Sequence, residues 1–164
     1  MRNRYLKYFL ISLVLIGIDF IPKIIISIHN LIPNYLNYLS VKSSFFEIEI
    51  FENYNMMFHA FSSFRQPFKN IVIYGIFIST IFISLLMLRK TIRLRFSYIL
   101  PWLLILSGTF SNLIDKIKNG YIIDYLNLTF YNFFSIYFNF ADVYVFLGIA
   151  LLFIQHIVII YKKQ

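Results

Sequence analysis

Four long windows almost free of charge constrain this chain more than any other feature. They run from about Tyr8 to Ile28, Ile71 to Leu88, Phe96 to Ile114 and Val143 to Tyr161. A bilayer core of about 30 Å needs roughly 20 mostly apolar helical residues, and each window is near that length. The second holds no charged residue, whereas the first carries Asp19, Pro22 and Lys23. Of the 164 residues, 60% are hydrophobic and only 13% charged, too little polar surface to cover a water-soluble globule of this size. The same composition excludes disorder. The chain is therefore expected to be an all-α integral membrane protein, a single membrane domain over residues 1–164 with four transmembrane helices. The basic N-terminus followed by an apolar run has the outline of a signal peptide. However, the run continues past Asp19 into Ile24-Ile25-Ile26, and no small-x-small cleavage site follows, so the segment is expected to remain as a span.

Orientation follows from Lys and Arg in the short flanks. Arg2, Arg4 and Lys7 precede the first window, Arg89, Lys90, Arg93 and Arg95 link the second to the third, and Lys162 and Lys163 follow the fourth. Four spans put these three flanks on one side. They hold nine of the fifteen basic residues and none of the seven acidic ones, so both termini are expected in the cytoplasm. The net charge of +8 is thus a topology signal and a contact with anionic lipid, with no nucleic acid partner required. All seven acids (Asp19, Glu47, Glu49, Glu52, Asp115, Asp124 and Asp142) fall within the membrane or on the outer side.

Two outer segments are expected, about 29–70 and 115–139. In the first, Ser44 to Glu52 alternates apolar and acidic residues with period two, the pattern of a half-buried strand, which predicts a small extracytoplasmic β element. The second, rich in Asn, Tyr and Phe, has the composition of a segment lying along the outer interface.

Counting along the helices at 1.5 Å per residue places Asp19 about 16 Å beyond Tyr8, near the bilayer midplane. Lys23 follows one turn later on the same face, an arrangement that allows a structural polar pair. The same count puts Asp115 and Asp142 at the outer interface, within reach of Asp124. Carboxylates that approach closely share a proton, so that one can act on a water while the other polarises a carbonyl. Depth alone does not say which of the three would pair. No metal is expected: there is no Cys, and His29, His59 and His156 lack ligand spacing. Ser107-Gly108-Thr109-Phe110-Ser111 supplies small residues for close helix approach and does not match a serine-hydrolase elbow.

These residues carry a resemblance. Ser107 to Lys116 (SGTFSNLIDK), Gly120 to Tyr125 (GYIIDY) and Phe138 to Asp142 (FNFAD) resemble the GGxxGNxxDR, GxVVDF and FNxAD motifs of the lipoprotein signal peptidase (signal peptidase II) family. Asp19-Phe20-Ile21-Pro22-Lys23 is similar to that family's DxxTK element, and Glu52 to Phe58 stands at its NxGAAF element. The order of all five covers nearly the whole chain. The resemblance implies an inner-membrane aspartyl endopeptidase that removes signal peptides from prolipoproteins before a diacylglyceryl-modified Cys, needs no cofactor and is inhibited by globomycin. It implies Asp124 and Asp142 as the catalytic pair. Asn53, Asn112, Asp115, Lys116 and Asn139 are implied as substrate-binding or supporting residues, and Asp19 with Lys23 as a structural pair. The chain departs from the pattern at Lys116, where the family has Arg, and at Asn55-Met56-Met57, where it has Gly-Ala-Ala. Read without the resemblance, the residues also allow a non-catalytic membrane protein that binds lipidated peptides, or a small transport subunit.

Overall fold

The computed structural model of the chain describes residues 2–30, 46–55, 65, 67–130 and 134–162. Its elements, in chain order, are helix α1 (Arg2–Asn30), strand β1 (Phe46–Asn53), helices α2 (Phe68–Thr91) and α3 (Phe96–Asn119), strands β2 (Ile122–Phe130) and β3 (Phe134–Phe138), and helix α4 (Phe140–Tyr161). All four helices are long and apolar enough to cross a membrane. In hydrocarbon a helix satisfies its own backbone, which is why these windows form helices despite their many β-branched residues.

α3 is the centre of the bundle, packed against α1, α2 and α4. More than half of its most apolar window is buried, against less than a fifth of each of the others. The faces left open on α1, α2 and α4 carry Phe9, Ile78, Phe82, Phe146 and Phe153, side chains suited to lipid. Two glycines set the α3–α4 distance. A Cβ on Gly108 would stand 2.3 Å from the Ala141 carbonyl oxygen, and one on Gly148 would stand 2.8 Å from the Pro101 carbonyl oxygen. The two backbones can approach this closely only because no side chain intervenes. The Gly108 contact also ties α3 to the first turn of α4.

α3 ends at Gly120, whose φ of 80° is left-handed and whose N–H donates to the Lys116 carbonyl at 3.1 Å. The chain then turns into a three-stranded antiparallel sheet of order β1-β2-β3. The sheet is seated on the bundle through Ile122, which packs with Ile73 and Phe77 of α2. Its β1–β2 register slips between Ile48 and Phe51, where the apolar doublet Ile50-Phe51 interrupts the alternation of β1.

Two expectations are corrected. The outer segment placed at 115–139 starts later, since α3 continues to Asn119 and keeps Asp115 and Lys116 on a helix; beyond Gly120 the chain forms a hairpin of two strands where an interface-lying segment was expected. The alternation Leu126-Asn127-Leu128-Thr129-Phe130 carries that strand, and the aromatic composition masked it. Asp19 lies at the end of the bundle that carries the sheet, beside the first turn of α4. Counting from Tyr8 misplaced it because α1 starts at Arg2 and Arg4 already meets the α2–α3 link, donating to the Ile92 carbonyl at 3.4 Å. From Arg4 to Asp19 and from Phe96 to Ser111 the separation is the same fifteen residues, about 22 Å, and Asp19 bonds Ser111. Ser44, Phe45, Met56, Met57, Phe58, His59 and the side chain of His29 lie outside the described residues.

Candidate active site

Asp124 sits on β2, fully buried, and each of its carboxylate oxygens accepts a side-chain amide. Asn53 Nδ2 donates to Oδ2 at 2.8 Å, and Asn139 Nδ2 donates to Oδ1 at 2.8 Å. Asn53 is the last residue of β1 and the diagonal neighbour of Asp124, because it pairs with Ile122 while Phe51 pairs with Asp124. Diagonal neighbours on one face of a sheet lie within side-chain reach.

Asp142 stands in the first turn of α4, where Asn139 is the N-cap. The Asp142 N–H donates to Asn139 Oδ1 at 2.9 Å, and the Asn139 N–H donates to Asp142 Oδ2 at 3.3 Å, a reciprocal capping box. The other oxygen, Oδ1, accepts Asn112 Nδ2 at 2.8 Å. Asn139 therefore touches both carboxyl groups, Asp124 through its amide nitrogen and Asp142 through its backbone N–H, while its amide oxygen accepts the Asp142 backbone N–H. The same amide nitrogen also donates to Asn112 Oδ1 at 3.1 Å and to the Ile123 carbonyl at 3.2 Å. Three asparagines from a strand, a helix and a helix cap thus hold two acids.

Burial pushes the Asp124 carboxyl up to about 7, and the charge of the neighbouring Asp142 adds to the rise. The amides of Asn53 and Asn139 and the positive charge of Lys23 pull the other way. Two acids that interact in this way titrate as a pair, the charge on one raising the affinity of the other for a proton.

Beneath this pair lies a buried ionic cluster. Lys23 Nζ stands 2.5 Å from Asp19 Oδ2 and 2.7 Å from Asp115 Oδ2. The i, i+4 spacing read from the sequence is therefore an ion pair, and Lys23 binds a second carboxylate from α3. Asp19 Oδ2 also accepts the Ser111 hydroxyl at 2.6 Å, while Oδ1 accepts the Ala141 N–H at 3.1 Å and the Tyr125 hydroxyl at 3.3 Å. An anion on the second N–H of α4 is where the helix dipole favours it. Asp115 Oδ2 accepts the Ile123 N–H at 3.3 Å. Lys23 also reaches Asn112 Oδ1 at 3.4 Å, so the cluster and the carboxylate pair share Asn112.

The structure brings Asp124, Asp142, Asn53, Asn112 and Asn139 into one network, and Asp19, Lys23 and Asp115 into the cluster below it. Lys116 joins neither: its Nζ donates to the Tyr54 carbonyl at 3.1 Å. Asp115 meets Lys23, not the Lys116 or Lys118 that are adjacent in sequence. Four participants had no hydrogen-bonding role in the sequence reading: Tyr125, Ser111, Asn55 and Lys69. Tyr125 follows Asp124 directly, and its hydroxyl accepts the Phe140 N–H at 3.2 Å while donating to Asp19. In a chain with 13 Tyr, nothing in the sequence marks this one. Lys69 carried a signal, being a cation at the start of a span on the side away from the basic flanks.

A cleft of about 310 Å³ runs between α2 and α4 with α3 as its floor. Asp142 and Asn112 lie at its polar end, and Phe77, Trp102, Ile105 and Ile149 line the apolar remainder. The chain is similar in sequence and fold to known proteins. Residues 11–158 match the family described as signal peptidase (SPase) II. A lipoprotein signal peptidase of Buchnera aphidicola subsp. Schizaphis graminum is 30% identical over 154 residues, covering 92% of this chain and 94% of that one. The lipoprotein signal peptidase of Francisella tularensis subsp. novicida is 28% identical over 150 residues, 90% of this chain and 89% of its own. A bacterial membrane enzyme solved by the in meso method superposes with a TM-score of 0.70 at 20% identity, over 96% of this chain and 92% of that chain, a likeness of fold. With the match running through all four helices and both carboxylates, the chain belongs to the signal peptidase II family.

Proposed function

We propose that this chain is an intramembrane aspartyl endopeptidase that removes the signal peptide from diacylglyceryl-modified prolipoproteins, with Asp124 and Asp142 as its catalytic pair. The observation that carries the reading is Asn139, a single residue that binds both carboxyl groups and so fixes one against the other. With one proton between them, the ionised acid takes a proton from water as the water oxygen bonds to the scissile carbonyl carbon. The protonated acid donates to the carbonyl oxygen. As the tetrahedral species collapses and the C–N bond breaks, the acid that took the water proton gives it to the leaving nitrogen, and the hydroxyl formed from the carbonyl returns its proton to the other acid, restoring the pair. The α2–α4 cleft would take the apolar signal segment and present its end to Asp142. Asn53, Asn112 and Asn139 orient the acids, Asp115 and Lys116 support the surrounding elements, and Asp19 with Lys23 sets the level of α4 beneath them.

The 164 residues work as one membrane domain in the bacterial cytoplasmic membrane. Both termini are cytoplasmic, as the flank charges require, and the sheet is on the outer face. The test is incubation of the purified protein with a diacylglyceryl prolipoprotein. Cleavage before the modified Cys, blocked by globomycin, is expected. Binding of the peptide without turnover would refute the reading in favour of a non-catalytic relative.

A further inference from the structure

Lys69 and Lys116 are buried, 8% and 2% exposed, and neither makes an ion pair among the described residues, which include all seven acids of the chain. Lys69 stands in the first turn of α2, where the helix dipole disfavours a cation and where a Lys can ordinarily extend its ammonium group into water or headgroups. Turning it inward is costly unless it gains a bond that matters. That bond goes to Asn55 Oδ1, while Lys116 Nζ takes the carbonyl of the adjacent Tyr54 at 3.1 Å. Two lysines from two helices therefore grip consecutive residues of one turn.

The turn leads to the carboxylate pair. The Asn55 N–H donates to Asn53 Oδ1 at 3.0 Å, and Asn53 Nδ2 donates to Asp124 Oδ2 at 2.8 Å. An Asn side chain has one accepting and one donating end, so the bond from Asn55 decides that the donating end faces Asp124. We infer that Lys69 is a positioning residue: with Lys116 it clamps the Asn53–Asn55 turn and so aims the Asn53 amide at Asp124. The inference rests on the catalytic reading of Asp124 given above. It assigns work to two residues, Lys69 and Asn55, that the carboxylate network does not itself contain.

The test uses the full-length protein in detergent or bilayer, with a single-turnover cleavage assay across pH. Lys69→Met keeps the bulk of the side chain and removes the donor. It is expected to slow cleavage at saturating substrate roughly tenfold or more, with little change in substrate affinity, since misplacement of a catalytic group acts on the chemical step. The acid limb of the pH–rate profile should move to higher pH, because Asn53 helps keep Asp124 ionised alongside Asn139 and Lys23, against the charge of Asp142. Lys69→Arg, which keeps a donor, should recover most of the rate. Asn55→Ala should match Lys69→Met, and the double variant should be no slower than the worse single one, since both break the same link. A Lys69→Met protein of lowered stability whose folded fraction cleaves at the wild-type rate, with the wild-type pH profile, would overturn the inference. If Lys69→Met does not fold, Lys69→Arg and Asn55→Ala carry the test: wild-type rates in both would overturn it. Failure of the wild-type protein to cleave would instead refute the catalytic reading on which it stands.

Discussion

Replacing Asp124 by Asn should alter stability in a pH-dependent way as well as stopping catalysis. In the wild-type protein both oxygens of Asp124 accept an amide N–H, from Asn53 and from Asn139. Neither amide is free to reverse, because the Asn53 oxygen accepts from Asn55 and the Asn139 oxygen accepts from Asp142. An Asn at 124 must therefore turn its own NH2 toward one of two donors, leaving a buried hydrogen bond unmade at a cost of about 1–3 kcal/mol. Against this stands the buried charge. A carboxyl raised to about 7 in the folded state, above its value of about 4 in the unfolded chain, binds more protons folded than unfolded. Its contribution to stability is then fully present below about pH 4 and is lost as pH rises toward 7. Between pH 5 and 8 the wild-type protein loses on the order of 3 kcal/mol from this group, at 1.36 kcal/mol per pH unit, and the Asn variant does not. Asp124→Asn should thus be less stable than wild type at pH 5 and at least its equal at pH 8. Thermal unfolding of both proteins in the same detergent at the two pH values measures this. A stability difference that is constant between pH 5 and 8 would refute the claim that Asp124 is a buried acid with a raised titration.

Three further substitutions probe separate parts of the structure. Lys23→Met leaves the Asp19 and Asp115 carboxylates buried without their cation, and thermal unfolding should report a loss of roughly 3–5 kcal/mol, partly recovered by adding Asp115→Asn. Gly108→Ala drives a methyl group against the Ala141 carbonyl, which should cost about 1–3 kcal/mol and slow cleavage by displacing the first turn of α4 that carries Asp142. Asn139→Ser keeps a helix cap but removes the buried amide that reaches Asp124, Asn112 and the Ile123 carbonyl, so unfolding should register a loss of about 1–3 kcal/mol while the cleavage rate of the folded protein falls at least tenfold.

Much of the fold is legible in the chain because hydrocarbon is an undemanding solvent to read against: a span needs length and an absence of charge, and both are local properties. The Asp19–Lys23 pair is legible for the same reason, being one turn apart on one helix. The depth of Asp19 is not, since it depends on where α1 meets the rest of the bundle, and the contact that sets this, Arg4 on the Ile92 carbonyl, spans 88 residues. Strands β2 and β3 were obscured by aromatic residues that suit an interface as well as a sheet. The partners of Asp115 and Lys116 came from other elements, Lys23 of α1 and the Tyr54 carbonyl, and not from neighbours in sequence. The carboxylate pair is an intermediate case. Depth counting brings three acids toward one layer and the family motifs point to Asp124 and Asp142, but what links those two in space is Asn139, which is both a helix cap and a bridge. Cap residues can be read from sequence; a bridge to a strand fifteen residues upstream cannot.

The central claim is that Asp124 and Asp142 act together in peptide cleavage. The most direct measurement is single-turnover cleavage of a diacylglyceryl prolipoprotein by purified, folded Asp124→Asn and Asp142→Asn proteins beside the wild type, with lipidated-peptide binding measured in each. Loss of cleavage in both variants, with binding retained, is the predicted result. Cleavage at a wild-type rate in either variant would contradict it.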